Sequence, residues 1–261
     1  NITKVEAMNR KYIQQLITEN RRLDNRKPDE YRKPITIDYN ISKNAEGSAR
    51  VTMGKTIVVA GVKLGLGEPY PDTPDEGALI VNVELLPISS PKFESGPPGS
   101  QAVELARVVD RGIRESQTID FKKLCIRHGE LVWIVFIDIY TFNDDGNLID
   151  AAALASLAAL SQAKFPKVEN EKVVFGELTN KKLPITKKPI TITLYKINGK
   201  TIVDPIPEEE DASDARFSVT IEGEIIYAIQ KGGTESFTEK EVLEMIELAI
   251  EKSREIAKHL K

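Results

Sequence analysis

Arg107, Arg111 and Arg114 recur at i, i+4 and i+7 within a stretch of helical apolar spacing. Three guanidinium groups therefore share one side of a helix, away from its apolar face. Guanidinium forks take up carboxylates and phosphates through paired hydrogen bonds, so such a row could follow successive phosphates. Glu104, Asp110 and Glu115 stand within i, i+3 or i, i+4 reach of these arginines, and an ion-paired surface helix is the competing reading. Other candidate groups are isolated. Cys125 sits at strand spacing in Leu124-Cys125-Ile126 and reads as core rather than as an activated thiolate. His128 precedes Gly129 in a hairpin turn, and His259 lies near a helix end, where a cation is favoured, so neither reads as a catalytic base. Gly65-Leu66-Gly67 runs into a proline turn and is no phosphate loop. Asp144-Asp145-Gly146-Asn147-Leu148-Ile149-Asp150 lacks the alternating ligands and distal Glu of a calcium loop, and reads as a turn entering a helix. Spacing alone thus assigns no catalytic residue and no metal ligand.

The arginine helix is expected from about Ser100 to Ser116, after the stop signal Gly96-Pro97-Pro98-Gly99, with Ser100 as N-cap. Its apolar face is expected to be Ala102, Leu105, Ala106, Val109 and Ile113. Ahead of it, Val5, Met8, Tyr12, Ile13, Leu16 and Ile17 predict an N-terminal helix over 4–20, followed by a charged connector from Arg21 to Pro28 that reads as a solvated face. Strands follow at 35–39, 49–53, 56–62 and 77–85, the second and third joined by a tight turn at Gly54-Lys55. After the arginine helix come strands at 121–126 and 131–140, then an Ala-rich helix from Ile149 to Lys164, buried on most sides. From Pro166 the pattern partly restarts. Strands at 172–175, 190–197, 201–203, 217–222 and 225–230 lead to a helix over 238–260 that opens with the capping box Thr238…Glu241. Lys181-Lys182 and Lys187-Lys188 read as solvated, and Glu208-Glu209-Glu210-Asp211 as an acidic loop. The chain is read as α+β: a helix and connector over 1–30, a first half over 31–165 and a second over 166–261, each sheet covered on one side by helices.

Bulk composition agrees with a packed protein. Of 261 residues, 41% are hydrophobic and 29% charged, enough for a sizeable core under a mixed-sign surface. Lys and Arg number 36 against 40 Asp and Glu, a net charge of −4, which excludes a generally basic coat but not a local basic stripe. A single cysteine forbids an intramolecular disulfide and a multi-thiolate zinc site, and points to a reducing compartment. No apolar run reaches membrane-spanning length, and the N-terminus does not read as a secretory signal, so a cytoplasmic protein without membrane contact is expected. Abundant Lys and Glu with scarce Cys and Met is a composition seen in hyperthermophiles.

Four strings together carry a family resemblance: Glu46-Gly47-Ser48-Ala49; Gly67-Glu68-Pro69-Tyr70-Pro71-Asp72-Thr73-Pro74-Asp75; Glu104 through Ser116; and Asp144 through Ala151. In this order they resemble the archaeal exosome ring subunit of the ribonuclease PH family, and more narrowly its non-catalytic member, over about residues 10 to 260. The resemblance implies the ribonuclease PH fold, two βαβα-like halves of the ribosomal protein S5 domain 2-like kind. It also implies a hexameric ring in which this chain alternates with a catalytic ribonuclease PH-like paralogue, beneath a cap of S1/KH-type RNA-binding subunits. The family reaction is 3′-to-5′ phosphorolysis of single-stranded RNA, releasing nucleoside diphosphates.

The resemblance also implies what a catalytic member should carry. At the entry to the Ala-rich helix the family holds phosphate with a Gly-Ser/Thr-Arg element, whereas here the stretch reads Gly146-Asn147-Leu148. The family's paired acids are sought after the second-half entry strand, where Glu177 to Pro189 is mainly basic and Glu177 stands alone. The expectation is a chain without catalytic or metal residues and without a cofactor of its own, phosphate and Mg²⁺ belonging to the paralogue's active site. Its arginines 107, 111 and 114 would contact the RNA backbone, with Asp110 competing for Arg114. An autonomous exoribonuclease and a scaffold that never touches RNA are the alternatives.

Overall fold

The computed structural model describes residues 2–260, with side-chain surroundings from residue 8 onward. The first helix, α1 (Ile2–Thr18), presents Ile13 and Ile17 to Tyr195, Ile197, Ile202 and Ala212 of the second half. Met8 and Tyr12, expected on its buried face, are exposed, and the side chain of Val5 lies outside the described residues.

A first sheet takes β1 (Ile35–Tyr39), β2 (Gly47–Met53), β3 (Thr56–Gly67), β4 (Ala78–Leu85), β5 (Cys125–Arg127) and β6 (Leu131–Asn143). Its order is β1-β2-β3-β6-β4, with β5 beside β6; β4 and β6 run parallel and the other pairs antiparallel. Alternation decides which face is buried: Val58, Ala60, Val62 and Leu64 of β3 and Val135, Ile137 and Ile139 of β6 all turn inward. The β2–β3 turn is the expected one, with Gly54 at φ 60°. Residues 121–124 form a 3-10 turn instead of strand, because Asp120 caps it by accepting from the Lys123 N–H. Cys125 is only half-buried at the start of β5, not core.

The parallel β4–β6 pair requires a crossover, and α2 (Ser100–Glu115) supplies it. The Ala-rich helix α3 (Leu148–Gln162) lies behind the first sheet with Ala151, Ala152, Ala155, Ala158 and Ala159 wholly buried. Small side chains allow close approach: at Gly47 of β2 a Cβ would strike the backbone of Ala159 and Ala163.

A hairpin of β7 (Lys164–Glu169) and β8 (Lys172–Lys182), longer than the single strand expected there, joins the halves. The second sheet has β9 (Ile190–Ile197), β10 (Lys200–Val203), β11 (Ala215–Glu222) and β12 (Ile225–Gly233) in the order β10-β9-β11-β12. Contrary to expectation, its central strands are covered on both faces. Ile192, Leu194, Phe217 and Val219 pack beneath α5 (Glu239–Ala257), with the Phe217 and Phe237 rings 5.8 Å apart. The other face is hydroxyl-rich and meets α2 and α3. There Thr191 pairs with Thr220 at 2.9 Å and Thr193 with Ser218 at 3.0 Å, which satisfies groups that would be costly to bury unpaired. One apolar core runs through both halves. The capping box of α5 is present, the Thr238 N–H donating to Glu241 at 2.7 Å. The supposed acidic loop is a short helix, α4 (Pro207–Ala212), with proline at its start and glutamates in its first turn, both favourable at a helix N-terminus.

Candidate nucleic-acid interface

Helix α2 carries the three arginines between β4 and the second sheet. Its buried stripe is Ala102, Leu105, Val108, Val109, Gly112 and Ile113, so Ala106 turns half outward where Val108 and Gly112 turn in. Gly112 permits the contact with the second sheet, since a Cβ there would stand 3.0 Å from the Thr220 hydroxyl. The N-cap is Gly99, with no side-chain cap bond; Ser100 is already the first helical residue. The helix ends where the Ser116 N–H reaches the Arg114 carbonyl and Gln117 turns left-handed at φ 54°.

All three arginines are exposed, but their situations differ. Arg114 donates to both Asp110 oxygens, at 2.7 and 3.0 Å, and to the Leu79 carbonyl at 3.0 Å. These bonds raise its pKa further, the hydrogen bond to Asp110 foremost. Glu104 turns away toward Arg216 of β11, with an oxygen–nitrogen distance of 2.5 Å. Among the described residues Arg107 and Arg111 therefore have no ion pair and no side-chain hydrogen bond. They flank an open cleft of about 420 Å³ between α2 and β4. Two unpaired guanidinium groups one helical turn apart on a convex wall can each grip a phosphate without reading a base.

The entry to α3 is the second candidate site. Gly146 and Asn147 both take positive φ, 88° and 55°. The Asn147 N–H donates to Glu210 at 2.8 Å, so a carboxylate of the chain itself occupies the position an incoming anion would take. The Gly146 carbonyl accepts from Thr56 Oγ1 at 2.7 Å and from Arg32 at 3.0 Å, and Arg32 also bonds the Asp145 carbonyl. A Cβ at Gly146 would run into the Pro205 carbonyl, so the loop is packed shut.

Carboxylates do gather here, from residues outside the stretch 177–189. Asp150, Asp204, Glu209 and Glu210 surround the α3 entry, and every one of them is engaged. Asp204 accepts from Arg32 at 2.7 Å, Arg26 at 3.1 Å and the Asn147 amide at 3.1 Å. Glu209, wholly buried, pairs with a wholly buried Arg22 at 2.5 Å. Glu210 also accepts from Tyr195 at 2.8 Å, and burial raises its pKa. Asp150 accepts from Tyr31 at 2.7 Å and Asn147 at 3.1 Å. Burial lifts its carboxyl to about 7, against the hydrogen bonds from Thr193, Tyr31 and Asn147. Arginines 22, 26 and 32 are thus structural bolts; Arg22 and Arg26 do not lie on the solvated face expected of residues 21–27. Sequence reasoning missed this cluster because Asp150 is far in sequence from the other three carboxylates and the arginines that hold Asp204 and Glu209 come from near the start of the chain; the Pro207-Glu208-Glu209-Glu210 string was the available signal for a helix start. Among the described residues no group of three or more His, Cys, Asp or Glu is arranged to hold a metal.

The chain is similar to known proteins over nearly its full length. Residues 31–166 match the family model described as 3′ exoribonuclease family, domain 1, and 188–252 match domain 2. It is 46% identical to exosome complex component Rrp42 of Methanosarcina mazei, covering 97% of this chain and 93% of that protein. The corresponding Pyrococcus horikoshii component is also 46% identical, over 97% and 94% of the two chains. Its fold superposes with a TM-score of 0.89 on a chain of the Archaeoglobus fulgidus exosome with RNA bound to the active site, at 42% identity over 98% and 99% of the two chains. With family models matching both halves of a ribonuclease PH fold, and relatives this similar along the whole length, the chain belongs to the 3′ exoribonuclease family.

Proposed function

We propose that this chain is a non-catalytic ring subunit of an archaeal exosome, which positions single-stranded RNA for 3′-to-5′ phosphorolysis at the site of a catalytic paralogue. The observation that carries this reading is the contrast between its two candidate sites. At the α3 entry every carboxylate is bonded to the chain's own arginines, amides or hydroxyls, and Glu210 fills the anion position. On α2 the two arginines that could bind phosphate are exposed and unpaired among the described residues. The chain is equipped to hold RNA and not to attack it. In this reading phosphate and Mg²⁺ belong to the paralogue, the two chains alternate in a hexamer beneath S1/KH-type cap subunits, and the assembly is cytoplasmic. The kinship with exosome components supports the assembly; the arginine wall supports the RNA contact.

The test is degradation of an unstructured RNA in Mg²⁺ and phosphate by this chain, by its paralogue, and by the co-purified pair. Activity confined to the pair, or much greater there, is expected. Release of nucleoside diphosphates by this chain alone would overturn the assignment.

A further inference from the structure

The arginines do not stand on a flat wall. The cleft beside them, about 420 Å³, has an apolar floor of Val81, Val83 and Ala102 and an apolar lip of Val103 and Ala106. Val103 stands 47% exposed at the mouth of the cleft. The one carboxylate in the cleft, Asp110, is neutralised by Arg114. One side of the cleft is the free edge of β4, an outermost strand. The Leu79 carbonyl on that edge is already taken by Arg114. Strand alternation turns the main-chain N–H and C=O of Val81 and Val83 to the same side. The cleft thus combines a flat apolar floor, main-chain donors and acceptors, and two free guanidinium planes. A flat, polar-edged heterocycle carried on a polyanion needs this set of partners.

We propose that the cleft between α2 and β4 holds one nucleobase of the RNA whose phosphates Arg107 and Arg111 grip, which rests on the RNA-positioning role argued above. The base lies on Val81 and Val83 against the Ala106 lip, an arginine plane covers it, and the main chain of β4 meets its edge. The free cations favour RNA over an apolar protein segment as occupant, since such a segment would leave both guanidinium groups unused.

The experiment measures binding, without phosphate, of short oligoribonucleotides to the ring reconstituted with the catalytic partner. One nucleotide at a time is made abasic. With the parent chain, base removal at a single position should weaken binding about fivefold or more, the range of one stacked base. Ala106→Met fills the cleft and leaves the arginines; Val103→Trp does so from an exposed position should the first variant fold poorly. In either variant the intact RNA should bind as weakly as the abasic one, and the position-specific penalty should vanish. Equal binding of intact and abasic RNA at every position, or variants that leave the penalty in place, would overturn the base site. Failure of a folded variant to join its partner would do so as well, by assigning the cleft to protein. Arg107→Ala with Arg111→Ala separates the two levels: no loss for any RNA sinks the RNA-positioning role, whereas a loss without a base-dependent position sinks the cleft alone.

Discussion

Glu104 of α2 reaches Arg216 of β11 at 2.5 Å, and by doing so leaves Arg107, three residues further along its own helix, without a partner among the described residues. One ion pair therefore joins the two halves and exposes a cation. Arg216 has only 22% of its side chain exposed, and its Nε is buried with no hydrogen-bond partner. Removing the carboxylate would leave a largely buried charge uncompensated. Glu104→Ala should cost about 1–3 kcal/mol in denaturant unfolding. Glu104→Gln should cost less and leave RNA binding unchanged.

Arg32 is the more demanding test of the α3 entry. It holds Asp204, Asp145 and the Gly146 carbonyl from one guanidinium group that is 7% exposed. Arg32→Ala removes the cation from Asp145, the shortest of the ion pairs to Asp204 and one of the two donors to the Gly146 carbonyl, and should destabilise the chain by about 3–5 kcal/mol. Arg32→Lys should recover only a part of this, because an ammonium cannot reproduce the planar fork. Comparable unfolding midpoints for Lys and Arg would show that charge alone, not geometry, holds the loop.

Much of the architecture was legible in the residues because it rests on local rules. The Gly54-Lys55 turn, the Thr238–Glu241 box and the alternation of β3 are each written within a dozen positions. The Asp110–Arg114 pair is equally legible, since i, i+4 geometry is local too. What escaped was non-local. Nothing near Arg22 announces Glu209, and nothing near Asp150 announces Tyr31. A carboxylate cluster built from residues 150, 204, 209 and 210 looks, in sequence, like a helix polar position and an acidic loop. The burial of the second sheet on both faces is non-local too: the hydroxyls of Thr191 and Thr193 can be buried only because they pair with Thr220 and Ser218.

Asp150 should make stability depend on pH near neutrality. Burial raises its carboxyl from 3.8 to about 7 in the folded chain. The folded state therefore keeps a proton that the unfolded chain has already released, and stability drains as pH rises from about 4 to 7. Glu210, also raised by burial, acts in the same direction, so the parent curve is a sum. Asp150→Asn isolates one contribution. Between pH 5 and pH 8 the difference in unfolding free energy should move in the variant's favour by on the order of 1–3 kcal/mol. A difference independent of pH would place an ionised Asp150 in the folded state.

The arginine wall makes its own quantitative prediction. Phosphate contacts release condensed counterions, so each one adds about 0.7 to the slope of log affinity against log salt for a single strand. Arg107 and Arg111 are unpaired among the described residues, and each should supply one such contact to the assembled ring. The double alanine variant should bind RNA more weakly at low salt and lower the slope by about 1.4. Arg114 is spent on Asp110 and the Leu79 carbonyl, so Arg114→Ala should change the slope little and act mainly on the stability of α2. The comparison is internal: three neighbouring arginines, the same charge removed, two different outcomes. If all three variants lowered the slope alike, the Asp110 pair would have to open when RNA binds. If none did, the guanidinium groups of α2 would not touch the strand.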